Sequence, residues 1–297
     1  MRMIALGEEL LARGVSVSIP ALAEDHQVAS IAETRGAFTV DWPDHPDVVI
    51  VDDYEVHADV ERRWMMSGAL VVAVDDAPTR QHDCHLLVDQ NDLFQRHSEA
   101  YRSRLMDSTG LLLGPRFAMV GRSIQDARGL HRFRSDTRRV VVNWGATDQP
   151  ELTALVQRVL AERGLEVRVI TARDDVADLV EHWLWADLAV GAAGSSSWER
   201  ACLGLPSLVV AIADNQEPVG RVLSEAGLAA YLGPASLVTA AAVEAGLDLL
   251  RAPGRSTEMA ARCMAVVDGR GAARVARSIH WRARRLSIRP VRHQDSV

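Results

Sequence analysis

The chain has 297 residues, 48% apolar and 25% charged, a globular composition with room for two domains that each bury a core. Its formal charge of -7 argues against a general nucleic-acid binder, and all 33 basic residues are arginine, which removes Schiff-base chemistry and a P-loop lysine. Cys84, Cys202 and Cys263 are odd in number, far apart and set among apolar neighbours, so they read as reduced core thiols of a cytoplasmic protein.

The opening "MRMIALGEELLARG" reads as an amphipathic helix carrying two acids, without the apolar centre and cleavage site of a secretory leader. Later apolar runs are strand-length, short of the ~18 residues of a membrane span, so no membrane partner is expected. Buried-strand candidates follow at "VSVSI" (15–19), "DVVIVDD" (47–53), "ALVVAVDD" (69–76) and "LLVDQ" (86–90). Between them, "DHQVASIAETRG" (25–36) and "HADVERRWMMSG" (57–68) read as helices closed by glycine. The basic stretch 121–137 has no strand pattern and reads as a linker. The pattern then restarts with "RVVVNWG", a helix over about 150–163, "EVRVIT", a helix through "DDVADLVEHWLWA", "DLAVG", "SLVVAIA" and helices to about 285.

Alternating strands and helices predict an α/β architecture of two Rossmann-like lobes, residues 1–120 and 138–285, with 286–297 as a tail. Sheets of this kind bind ligands beyond their strand carboxyl ends, so the loops that follow strands are where function is sought.

One such loop is "GAAGSSSWE", 191–199, a strand, a small-residue turn and a helix start. Gly194 permits close backbone approach, the free amides at the helix start favour a phosphate, and Ser195, Ser196 and Ser197 add hydroxyl donors. Glu199 has two readings: it accepts from the hydroxyls of a ribose, or it closes an S-x-x-E capping box with Ser196. "NWGATDQP" (143–150), with Gly145, and "ADNQEP" (213–218), with Asn215 and Gln216, are two further polar turns after strands, each also open to a turn-and-cap reading. The histidines of "HDCH" (82–85) are too crowded for a zinc site, so no metal is expected. Asp52, Asp53 and Tyr54, and Asp75 with Asp76, close two N-terminal strands, where carboxylates orient a sugar, act as a base or cap the next segment.

Taken together, "GAAGSSSWERACLGLPSLVVAIADNQ", "VIVDDY", "VVAVDDAPTRQHDCHLLVDQN", "LLLGPRFAMV" and "DGRGAARV" resemble the UDP-2,4-diacetamido-2,4,6-trideoxy-β-L-altropyranose hydrolase family of pseudaminic acid biosynthesis. The resemblance implies two facing lobes of the glycosyltransferase-B type and metal-independent release of UDP, without a cofactor. It places Gly145 and Gly194 to Ser197 on the diphosphate, Glu199 on the uridine ribose, Asn215 and Gln216 on the sugar side, and Tyr54 in the N-terminal half of the site. Ala193 and Ala146 stand where the family has glycine. The family's first strand and the G-H-x-M-R turn bearing its base have no counterpart before Met1 and Arg2, so the N-terminal lobe is expected to lack that strand and the chain to be inactive as written. Asp76 is the substitute candidate for the base, beside His26, His57, His82 and His85, none of which follows a glycine turn. The end, "LSIRPVRHQDSV", is similar to the opening strand of a GNAT-type N-acetyltransferase, a fused partner, or else a basic tail. A glycosyltransferase of the same fold and a non-catalytic nucleotide-sugar binder are the rival functions.

Overall fold

The computed structural model describes residues 1–19, 44–94, 96–130, 137–145, 147–171 and 179–287. The helix expected over 25–36, His26, Ala146 and the expected tail from 288 onward lie outside them. The chain divides into two compact units. One joins Met3–Phe117 to Ala272–Val297, and the other joins Met1–Arg2 to Ala118–Gly271.

The first unit opens with α1 (Arg2–Leu11), which buries Ile4, Ala5, Leu6 and Leu10. Its sheet contains β1 (Val48–Val51), β2 (Leu70–Val74), β3 (Leu86–Asp89) and β4 (Gly110–Leu113), all parallel and in sequence order. Two helices lie between these strands, α2 (Ala58–Met66) before β2 and α3 (Ser98–Arg102) before β4. Every residue of β2 and β3 is buried, which is why each reads as an unbroken apolar run rather than an alternating one. Val71, Ala73, Cys84, Leu87 and Tyr101 form a core against which Trp64 and Met65 of α2 pack. The stretch 15–19, expected as a strand, contributes a single bridge residue at Ser18. Because the strands are parallel, Asp52 to Tyr54, Asp75 and Asp76, and Asp89 to Asn91 all emerge at one end of the sheet.

In the second unit, the stretch expected as a linker begins with a helix, α4 (Arg122–Ala127), which buries Ile124 and Ala127. The sheet has five parallel strands, β5 (Arg139–Asn143), β6 (Glu166–Ile170), β7 (Leu188–Ala192), β8 (Ser207–Ala211) and β9 (Ala230–Pro234), in the order β6-β5-β7-β8-β9. The helices are α5 (Pro150–Glu162), α6 (Leu179–Trp185), α7 (Ser196–Leu203), α8 (Gln216–Glu225), α9 (Ala240–Arg251) and α10 (Arg255–Val266). Pro150 at the first position of α5 supplies a preset φ where no amide is needed. Thr239 caps α9, its hydroxyl accepting from the Ala242 amide at 3.2 Å. Thr239→Ala is expected to cost about 1 kcal/mol in urea denaturation, the usual value of such a cap.

The last helix, α11 (Gly271–Ser287), starts at the boundary of the second unit and groups from Ala272 onward with the first. Arg274 donates to the Arg116 carbonyl at 2.9 Å, and Arg13 at the end of α1 donates to the Ala273 carbonyl at 3.5 Å. Cys84, Cys202 and Cys263 are buried and unbridged. Among the described residues no helix is long and apolar enough to cross a membrane.

Candidate functional site

In the second unit the chain passes from β5 outward to β6 and then back across β5 to β7, so the topology reverses between β5 and β7. Open parallel sheets bind ligands outside the strand carboxyl ends at such a point. The loop after β5 carries Gly145, whose φ of +80° is a left-handed conformation suited to glycine, and its amide donates to Asn143 Oδ1 at 3.3 Å. The register pairs Asn143 with Gly191 and Ala192 with Val210, which sets the loops after β5, β7 and β8 side by side. Gln216 crosses from the third loop to the second. Its Oε1 accepts from the Ile212 amide at 3.1 Å, and its Nε2 lies where a Cβ on Gly194 would be only 3.3 Å away. Asn215 is exposed at the N-terminal cap position of α8, without a side-chain cap bond.

The loop after β7 holds the Gly194–Ser197 series. Ser195 occupies the N-cap position of α7 and makes no side-chain cap bond, so the reciprocal capping box between Ser196 and Glu199 is not formed. The amides of Ser197 and Trp198 are the first to bond back, to the carbonyls of Gly194 and Ser195 at 2.9 and 3.1 Å. Among the described residues the amides of Gly194, Ser195 and Ser196 have no backbone acceptor. Three open donors at the positive end of a helix dipole form an anion-binding geometry. Glu199 is only 8% exposed, and burial holds its carboxyl above the ordinary range despite the neighbouring charge of Arg200.

Sequence reasoning passed over Arg200. It is 2% exposed and lies under the loop, donating to the Ala192 carbonyl at 2.8 Å, to Ser197 Oγ at 2.9 Å and to Ser196 Oγ at 3.3 Å. Burial lowers its guanidinium to about 10, so it stays a cation at neutral pH. The Ser197 hydroxyl in turn donates to the Ala192 carbonyl at 3.2 Å, whereas the Ser196 oxygen, accepting from Arg200, leaves its hydroxyl hydrogen free to turn toward a ligand.

In the first unit the two candidate catalytic residues meet directly. The Tyr54 hydroxyl donates to Asp76, and the other Asp76 oxygen accepts from Asn91 Nδ2 at 2.8 Å. Arg80 braces this group by donating to the carbonyls of Asp53 and Tyr54 at 3.0 and 3.1 Å and to Asp75 at 3.1 Å, with its guanidinium 5.0 Å from the Tyr54 ring centre. His82 is committed elsewhere. Its Nδ1 meets Glu61 Oε1 at 2.8 Å and its Nε2 meets Asp75 Oδ2 at 3.0 Å, all three groups being buried. His85 Nδ1 accepts from the Val71 amide at 3.0 Å. Neither histidine of the "HDCH" stretch is therefore placed to take a proton from water. Among the described residues no group of three or more His, Cys, Asp or Glu side chains is arranged to hold a metal ion. A second group missed in the sequence is Asp89, His97 and Tyr101, joined at the end of β3.

Two parallel-sheet α/β units, of four and five strands, define a fold of the glycosyltransferase-B type. The solved structures of similar fold include a kitacinnamycin glycotransferase (TM-score 0.64, 14% identity, 95% of each chain covered) and a putative UDP-N-acetylglucosamine 2-epimerase from Listeria monocytogenes (TM-score 0.61, 14% identity, 95% of each chain). MurG of Acinetobacter baumannii has a TM-score of 0.58 at 14% identity, over 94% of this chain and 95% of its own. At the level of sequence the chain is similar to the spore coat polysaccharide biosynthesis protein SpsG of Bacillus subtilis (strain 168), 25% identical over 170 residues. That match takes in 46% of this chain and 48% of SpsG, about half of each. No protein-family model matches.

Proposed function

We propose that this chain carries the UDP-binding lobe of an enzyme that releases UDP from a UDP-linked sugar by hydrolysis, the substrate being UDP-2,4-diacetamido-2,4,6-trideoxy-β-L-altropyranose. The observation that carries the reading is the set of open amides at Gly194, Ser195 and Ser196, beside the topological reversal between β5 and β7 and backed by the buried charge of Arg200. The amides and the hydroxyls of Ser195, Ser196 and Ser197 take the diphosphate, with Gly145 admitting it from the adjacent loop. Glu199 accepts from the ribose hydroxyls, and Asn215 and Gln216 read the sugar side. Developing charge on UDP is stabilised where it forms, so departure needs no separate acid. Tyr54 and Asp76 belong to the sugar-binding and catalytic half of the machinery. The similarity to SpsG, itself named for polysaccharide biosynthesis, supports a nucleotide-sugar substrate, and the quoted family motifs support hydrolysis.

Isothermal calorimetry with UDP tests the nucleotide assignment. The Ser196→Ala, Glu199→Ala double variant is expected to bind UDP tenfold to a hundredfold more weakly, about one to two charge-assisted hydrogen bonds. Equal affinity in both proteins overturns it. Product that forms only when an acceptor alcohol is present converts the reading from hydrolase to glycosyltransferase.

A further inference from the structure

The last helix, α11, has two faces of opposite character. Its inward face is apolar: Ala272, Val275, Ala276 and Ile279 recur at helical spacing and are all buried. On the outer face Arg277, Trp281, Arg284 and Arg285 follow at steps of four, three and one residues, and all four are exposed. Trp281 is 53% exposed, and the Arg285 guanidinium lies over its ring, 4.1 Å from the centre. The 17 residues of the helix hold five arginines and no aspartate or glutamate, in a chain whose formal charge is -7.

Two of the five arginines serve the first unit itself. Arg274 donates to the Arg116 carbonyl, and Arg282 fills the space that a side chain on Gly110, at the start of β4, would need. The outer three have no such role. Arg284 and Arg285 suit the negative end of the helix dipole, but Arg277 lies mid-helix, beyond the last turn where that field acts. Among the described residues Arg277, Arg284 and Arg285 make no ion pair, so three like charges stand within about two turns without an internal carboxylate. A tryptophan left largely in water among them gains nothing from the dipole and loses contact with any core.

We propose that this face of α11 docks a protein surface rich in aspartate and glutamate, with Trp281 as its anchor and Arg277, Arg284 and Arg285 as its charge pairs. Charge and shape favour that occupant over three others. A second copy related by a two-fold axis would set α11 against α11 and oppose like charges. A lipid surface is entered by the whole apolar face of an interfacial helix, and here that face is turned into the core, leaving a single ring to insert. Nucleic acid meets an otherwise acidic chain. A carboxylate-rich protein surface fits both features: a guanidinium takes a carboxylate through two parallel hydrogen bonds, and tryptophan and arginine are the side chains that dominate protein interfaces. The stacked Arg285 also holds the Trp281 ring in place, which lowers the ordering cost of binding.

The test uses the full chain and a fluorescein-labelled peptide of repeated Glu-Glu-Leu, followed by fluorescence anisotropy at low ionic strength. The native chain is expected to bind it with an affinity that falls as salt is added, and not to bind the matching Gln-Gln-Leu peptide. The triple variant Arg277→Gln, Arg284→Gln, Arg285→Gln is expected to bind about tenfold more weakly or worse, the sum of three exposed charge pairs. Trp281→Ala is expected to weaken binding about threefold with the salt dependence unchanged, which separates the anchor from the charges. All four side chains are exposed, so circular dichroism should show native melting in each variant; Arg277→Gln alone, which spares the last turn, gives the same test if the triple variant melts early. No binding of the acidic peptide by the native chain overturns the proposal, as does native affinity in the triple variant or in Trp281→Ala. Sedimentation of the chain with phosphatidylglycerol vesicles, or a shift of duplex DNA, in the absence of peptide binding overturns it in favour of those partners.

Discussion

Replacing His82 with glutamine is expected to destabilise the protein by about 3–5 kcal/mol, the usual cost of leaving a buried charge without its partner. Glu61, Asp75 and His82 are essentially inaccessible to solvent, and the imidazole bridges the two carboxylates at 2.8 and 3.0 Å. Burial works against the charged ring, yet the hydrogen bonds and charges of Asp75 and Glu61 raise its pKa to about 9, so it is an imidazolium at neutral pH. Glutamine retains hydrogen-bonding capacity but no charge, and among the described residues only Asp75 keeps a second cation, Arg80 at 3.1 Å. A raised pKa also sets the sign of the pH dependence. The stabilisation is complete below about pH 6.5 and is lost as pH rises through about 9. Urea denaturation of the native protein from pH 6 to 10 should show this decline, and His82→Gln should flatten it. A variant as stable as the native protein at pH 7 would mean that His82 does not stabilise the two carboxylates as an imidazolium.

Gly191→Ala is expected to weaken both the fold and the nucleotide site. A Cβ on Gly191 would stand 2.4 Å from the Asn143 carbonyl oxygen of the neighbouring strand and 2.8 Å from the Arg200 guanidinium. The first obstacle is backbone and cannot rotate away, so β5 and β7 must separate where the ligand loops leave them. Overpacking of this kind costs about 1–3 kcal/mol. Displacing Arg200 also releases the hydroxyls of Ser196 and Ser197, so UDP affinity should fall by about tenfold beyond any change in the folded fraction. Calorimetry well below the melting temperature separates the two effects. Arg200→Met should reproduce the loss of affinity without separating the strands.

The repeating strands were readable because parallel sheets bury both faces, and "LVVAV" and "LLVD" announce that in a few residues. "VSVSI" has the same β-branched chemistry but supplies only a bridge at Ser18, since a strand needs a neighbour that no local pattern specifies. The helix at Arg122–Ala127 hid in a basic stretch because two apolar contacts, Ile124 and Ala127, suffice for a six-residue element. The serine loop was legible for a different reason: its donors come from consecutive residues. The Arg200 contacts depend on how far α7 turns beneath its own loop. Those of His97 and His82 join residues 7 to 21 apart across separate elements and become visible only in the folded sheet.

The course of α11 sets the sequence separation over which the first unit must close. Among the described residues, 118–271 hold every strand of their sheet in one continuous stretch. The first unit instead takes Arg274 against Arg116 across 158 residues of chain. The first unit is therefore completed through contacts of high sequence separation, a long-range closure that slows folding.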